Sequence, residues 1–132
     1  MEIIENGTGR LRLTLFSFGF KHGHPEADLV WDVRFLPNPY WVPDLKEYSG
    51  LEEEVARYVL ENEAGQEFLR LVEPLLEFML THHRQSRREV LRLAIGCTGG
   101  RHRSVAVTEY LGRALAGPDY CLEVFHRDID KR

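Results

Sequence analysis

The stretch IGCTGGRHRSV, residues 95–105, constrains the fold more than any other part of the chain. An apolar run, EVLRLAIGC, ends there and two glycines follow; SVAVTEYLGRALAG then continues with helical periodicity until Gly117 and Pro118 stop it. A further apolar segment, CLEVFH, completes the pattern. Strand, glycine-rich turn, helix and strand over residues 89–126 make a β-loop-α-β unit suited to a parallel crossover. Such a unit sets its first loop at the carboxyl end of a strand and the amino end of a helix, where ligands bind in open α/β sheets. Free backbone N–H groups and the positive end of the helix dipole favour an anion at that point. Arg101, His102 and Arg103 lie in the same turn, and Arg103 can add a planar fork to a phosphate.

The remaining segments supply the rest of an α/β fold. In RLRLTLFSF, Leu11, Leu13 and Leu15 alternate with polar residues, the period of a strand with one wet side. DLVWDVRFL reads as a second strand, with Leu29, Trp31, Val33 and Phe35 on one face and Asp32 and Arg34 together on the other. Trp31 and Phe35 are expected in the core. The prolines of PNPYWVPD exclude regular structure there. Ser49 and Glu52 have capping-box spacing before a helix over about 51–61. A second helix, over about 66–83, contains Pro74, which should kink or split it. The outcome is an α/β domain of about four strands and three helices, with one domain spanning 1–132.

Composition narrows the class. A hydrophobic share of 43% with 29% charged residues is that of an ordinary globular chain. The start, MEIIENGTGR, lacks a basic flank and an apolar core, and no uncharged run reaches the roughly 20 residues of a membrane span. A cytoplasmic location away from membranes is therefore expected. Cys97 and Cys121 are too few for a disulfide scaffold and read as reduced thiols. A net charge of -4 gives no general attraction to nucleic acid, which would have to use a local basic patch. His22 and His24 lie near Glu26 and Asp28, yet no second His or Cys pair stands at a zinc spacing, so no metal is expected and no cofactor is called for.

Two anion-binding chemistries compete for the glycine-rich turn. Nowhere does the chain fit the Gly-x-x-x-x-Gly-Lys-Ser/Thr spacing of a nucleotide P-loop. Cys97, Gly100, Arg103 and Ser104 do reproduce the C-x-x-G-x-x-R-S spacing of cysteine-dependent phosphatases. In that chemistry Cys97 is the nucleophile, and Asp44 of WVPD is the acid that protonates the leaving group. Against it, Gly96 precedes Cys97 where those enzymes usually carry His, and Pro-Asp is an everyday turn pair. The other reading is a non-nucleophilic thiol closing a strand.

The blocks SFGFKHGHPEADLVWDVRFLPNPYW, YSGLEEEVARYVL, AIGCTGGRHRSVAVTEYL and HRDIDK resemble the C-terminal domain of the RNase adapter protein RapZ family, collinearly over nearly the whole chain after Thr14. The resemblance is to that domain without the family's P-loop domain, so nucleotide binding is not implied. It implies a non-catalytic regulatory domain that binds glucosamine-6-phosphate, a phosphorylated amino sugar, and small regulatory RNA presented to an endoribonuclease. It also implies self-association as a homo-oligomer. Carried onto this sequence, the sugar-phosphate residues are Asp32, Arg34, Asn38, Tyr40, Cys97, Thr98, Gly99, Gly100, His102, Arg103 and Ser104. Tyr40 departs from the pattern, since better-known members have His there. The RNA role falls on Arg127, Lys131 and Arg132, helped by Arg84, Arg87 and Arg88.

Overall fold

The computed structural model describes residues 10–132. Strands β1 (Leu11–Gly19), β2 (Leu29–Asp32), β3 (Val90–Cys97) and β4 (Tyr120–His126) form one sheet in the order β2-β3-β1-β4, and every neighbouring pair is parallel. Helices α1 (Glu53–Leu60), α2 (Glu63–Gln85) and α3 (Arg103–Leu115) complete it, with single 3-10 turns at Phe20–His22 and Pro39–Trp41.

The period of two along β1 decides the layers. Leu11, Leu13 and Leu15 join Leu91, Leu93 and Ile95 of β3 in the main core, which α2 closes with Val72, Leu76 and Leu80 and α3 with Val107 and Leu111. Each such fully buried side chain contributes about 1.5–3 kcal/mol. Phe16 and Phe18 belong to a second cluster, covered by Phe20 and Ala27 from the segment between β1 and β2 and by Phe125 of β4. Phe16 and Phe125 stack with ring centroids 4.9 Å apart. The side of β1 expected to be wet is thus dry along its second half.

The β3-α3-β4 crossover places its two strands on either side of β1. Register then brings all four carboxyl ends to one edge, since Gly19 pairs with Cys97, Asp32 with Gly96, and Ser17 with His126. The turns after the strands, including residues 98–102 and 127–132, therefore meet at a single end of the sheet.

Several local expectations are corrected. β2 stops at Asp32 because that carboxylate accepts a hydrogen bond from the Arg34 N–H at 2.9 Å, which bends the chain into a turn. Val33 and Leu36 then enter the core, whereas Phe35 is 58% exposed and Trp31 only partly buried against the core. Helix α2 runs through Pro74 unbroken. The proline sits on the exposed side, while Leu69, Val72, Leu76 and Leu80 anchor both halves to the sheet, so packing outweighs the one missing hydrogen bond. PNPYWVPD is not wholly irregular, because Asn38 caps the 3-10 turn by accepting from the Tyr40 N–H at 3.1 Å. Ser49 and Glu52 bond as foreseen, with the Ser49 N–H donating to Glu52 Oε1 at 2.9 Å, just ahead of α1.

Candidate functional site

The turn from Cys97 to α3 packs backbone against backbone. Gly100 has φ +80°, and a Cβ there would lie 2.6 Å from the Gly19 nitrogen. Gly19 meets the same turn from the other side, so neither position has room for a side chain. Gly99 is different: a Cβ on it would meet only Lys21 Cε, at 3.9 Å. Its bare backbone faces an open cavity of about 540 Å³.

That cavity gathers cations. Lys21, Lys46, Arg101, Arg103, Lys131 and Arg132 line it, with Glu47 the one carboxylate among the lining residues. Of the sequence-predicted ligand residues, Asn38, Tyr40, Cys97, Thr98, Gly99, His102 and Arg103 line it. Asp32, Arg34, Gly100 and Ser104 are not among its lining residues: Gly100 and Ser104 are buried, and Asp32 and Arg34 are exposed. Asp32 and Arg34 pair with each other at 2.7 Å, and the Arg34 side chain's hydrogen bonds hold the Asp32 carboxyl below its ordinary pKa. Sequence reasoning missed Lys21, Trp41, Lys46 and Glu47: the first two lie within a block of the family resemblance but were given no role, the other two lie between blocks, and all four reach the cavity from the loops after β1 and β2.

Arg103 does not project freely over the turn. It is 6% exposed, and its Nη1 donates to the Arg34 carbonyl at 2.6 Å while Nη2 reaches Thr98 Oγ1 at 3.5 Å. Its Nε is buried without a partner. The guanidinium thus ties the segment after β2 to the turn after β3 and keeps a donor in reserve. Cys97 lies below it, its thiol donating to Ser104 Oγ at 3.2 Å and accepting from the Ser104 N–H at 3.4 Å. Asp44, the acid required by phosphatase chemistry, is exposed and lies outside the cavity lining.

His102 donates through Nε2 to the Lys46 carbonyl at 3.0 Å. Burial pushes its pKa below the ordinary 6.5, and neighbouring Arg101 and Arg103 push the same way, against hydrogen bonds to the Lys46 and Tyr48 carbonyls. It is therefore neutral at pH 7, and the lysines and arginines carry the positive charge of the site.

The chain end is fixed under the cavity by a residue that reads in sequence as mere solvated charge. Asp128 is fully buried, accepting from the Gly19 N–H at 2.8 Å, from Arg127 at 2.8 Å and from Lys131 at 2.7 Å. Arg101 Nε adds a bond to the Ile129 carbonyl at 3.0 Å, and Arg132 reaches Glu47 at 3.3 Å. Lys131 and Arg132 consequently line the same cavity as the glycine-rich turn.

The six residues considered for RNA do not form one patch. Arg127, Lys131 and Arg132 follow β4 at the carboxyl end of the sheet, whereas Arg84, Arg87 and Arg88 precede β3 at the opposite end. The eight residues of β3 separate the two groups by about 25 Å. Arg88 is also engaged by Asp28, which accepts from the Arg92 N–H at 2.8 Å as well and so is committed to the fold. Among the described residues no group of three or more His, Cys, Asp or Glu side chains is placed to hold a metal ion, and no helix is long and apolar enough to cross a membrane.

Residues 11–130, from the start of β1 to beyond β4, match the RapZ C-terminal domain. The chain is also 52% identical over 122 residues to a nucleotide-binding protein of Bacillus thuringiensis (strain Al Hakam), and equally so to those of Bacillus mycoides (strain KBAB4) and Bacillus cereus (strain B4264). These alignments cover 92% of the chain and 41% of each relative, so the chain spans about two-fifths of the length of the curated relatives it matches. On the match over residues 11–130 and the 52% identity over 92% of its length, the chain belongs to the RapZ C-terminal domain family.

Proposed function

We propose that the chain is a non-catalytic regulatory domain of the cytoplasm whose cavity receives a phosphorylated amino sugar of the glucosamine-6-phosphate type. The observation that carries this reading is the cationic cavity at the amino end of α3, open at Gly99 and lined by six lysines and arginines. A phosphate fits against the turn's backbone amides, with Asn38, Tyr40 and Trp41 left to meet the sugar. Calorimetric titration tests it: glucosamine-6-phosphate is expected to bind more tightly than inorganic phosphate, and glucosamine not to bind measurably. No Cys97-dependent turnover of aryl or sugar phosphates is expected; turnover abolished by Cys97→Ser would establish the phosphatase reading instead.

The reading extends to small RNA, an endoribonuclease partner and self-association. RNA phosphates are drawn to the chain end, so removing one phosphate-pairing cation, as in Lys131→Ala or Arg132→Ala, should lower the log-log salt slope by roughly 0.7–0.9. Arg87→Ala, at the far end of the sheet, should leave the slope unchanged if the RNA stays at the carboxyl end. Unaltered affinity and slope in both chain-end variants would assign Lys131 and Arg132 to the cavity alone.

A further inference from the structure

We propose that Glu47 is the residue that reads the amino group of the ligand and so sets an amino-sugar phosphate apart from its neutral counterpart. This rests on the reading of the cavity as a sugar-phosphate site and adds how the amine is recognised there.

Charge poses the problem. Six lysines and arginines line the cavity, and His102 is neutral beside them. Such a field attracts the phosphate of any sugar phosphate but repels the ammonium of an amino sugar. A cavity of cations alone would therefore favour the neutral sugar. Favouring the amino sugar takes an anion that lines the cavity and can change partners.

Among the described residues Glu47 is the one acidic residue in the lining. Asp32 lies outside it and is taken up by Arg34, whose Nε and Nη2 donate to its two oxygens at 3.0 and 2.7 Å. Asp128 is fully buried and holds the chain end. The neutral acceptors are engaged as well: Asn38 Oδ1 accepts from the Tyr40 N–H at 3.1 Å, and His102 is bonded to the Lys46 carbonyl.

The backbone is fixed on both sides of Glu47. His102 Nε2 donates to the Lys46 carbonyl at 3.0 Å, and the Gly50 N–H donates to the Arg101 carbonyl at 2.8 Å, so this segment is tied directly to the glycine-rich turn. The side chain itself stays in solvent. It pairs with Arg132 at 3.3 Å, with the two side chains 68% and 71% exposed. An ion pair in water contributes little, so an ammonium brought in by a phosphate bound at Gly99 can take the place of Arg132. One cation replaces another on the carboxylate, and Arg132 returns to solvent.

Calorimetric titration with glucosamine-6-phosphate and glucose-6-phosphate tests this, the readout being the ratio of the two affinities. The ratio cancels whatever a variant does to the shared phosphate. Wild type is expected to favour the amino sugar about tenfold, the low end for a hydrogen bond to a charged group, because the carboxylate is half in water. Glu47→Gln should bring the ratio to one or below without moving the melting temperature, and Glu47→Asp, which keeps the charge on a shorter arm, should recover part of it. Arg132→Ala should keep or raise the ratio, since Glu47 loses its competing partner. A preference that survives in Glu47→Gln, or a wild type that binds both sugar phosphates equally, would overturn the role of Glu47 and leave the sugar-phosphate site standing. A wild type that binds neither would overturn the site itself.

Discussion

Asp128→Ala is expected to cost about 3 kcal/mol of folding stability, the low end for breaking a buried ion pair, because Arg127 and Lys131 are partly exposed and can rehydrate. The Gly19 N–H also loses its acceptor, next to the point where Gly19 packs on the glycine-rich turn. The pH dependence follows from the same contacts. Burial pushes the Asp128 carboxyl up, but hydrogen bonds from Arg127, the Gly19 N–H and Lys131 outweigh it and hold its pKa down at about 2, against an ordinary 3.8. With the folded value the lower of the two, the contribution is complete above pH 3.8 and is lost as the pH falls toward 2. Urea denaturation of wild type and Asp128→Asn at neutral pH and near pH 2 should therefore show a gap that narrows in acid. A gap of equal size at both pH values would mean that the carboxylate charge is not what holds the chain end.

Arg103→Ala is expected to weaken a sugar-phosphate ligand roughly 10-fold to 150-fold, the loss of about 1.5–3 kcal/mol from a hydrogen bond to a charged group. It should also lower the melting temperature, since the Arg34 carbonyl loses a donor at 2.6 Å. Arg103→Lys keeps the charge but not the fork, and should recover only part of either property. Calorimetry paired with thermal unfolding separates the two effects. Wild-type affinity in Arg103→Ala would reduce the side chain to a strut between the loops.

The pattern of strands and helices was legible because periodicity and turn residues are local signals. Leu11, Leu13 and Leu15 announced a strand, and Gly117 with Pro118 marked the end of a helix. What sequence reading missed depended on distant partners. Pro74 argued for a broken helix, and only the leucines packed on both sides of it show why α2 continues. Phe35 kept the apparent period of β2, yet the Asp32 turn carried it to the surface. Asp128 stands among the basic residues of HRDIDK with no local pattern to mark it as buried, and its burial under Gly19 appears only once β4 lies beside β1. For the site, the turn from Cys97 to Ser104 stood out from its glycines and cations, while nothing local to Lys21 or Lys46 pointed to a ligand.

The most direct measurement is titration of Gly99→Ala with glucosamine-6-phosphate. The fold has space for the added methyl group, which meets only Lys21 Cε at 3.9 Å, so the melting temperature should stay at the wild-type value. The same methyl group enters the cavity where the phosphate must approach the backbone amides, and affinity should fall at least about tenfold, the loss of one charge-assisted hydrogen bond. A Gly99→Ala protein that melts as wild type does and binds glucosamine-6-phosphate equally well would contradict an anion site at this turn.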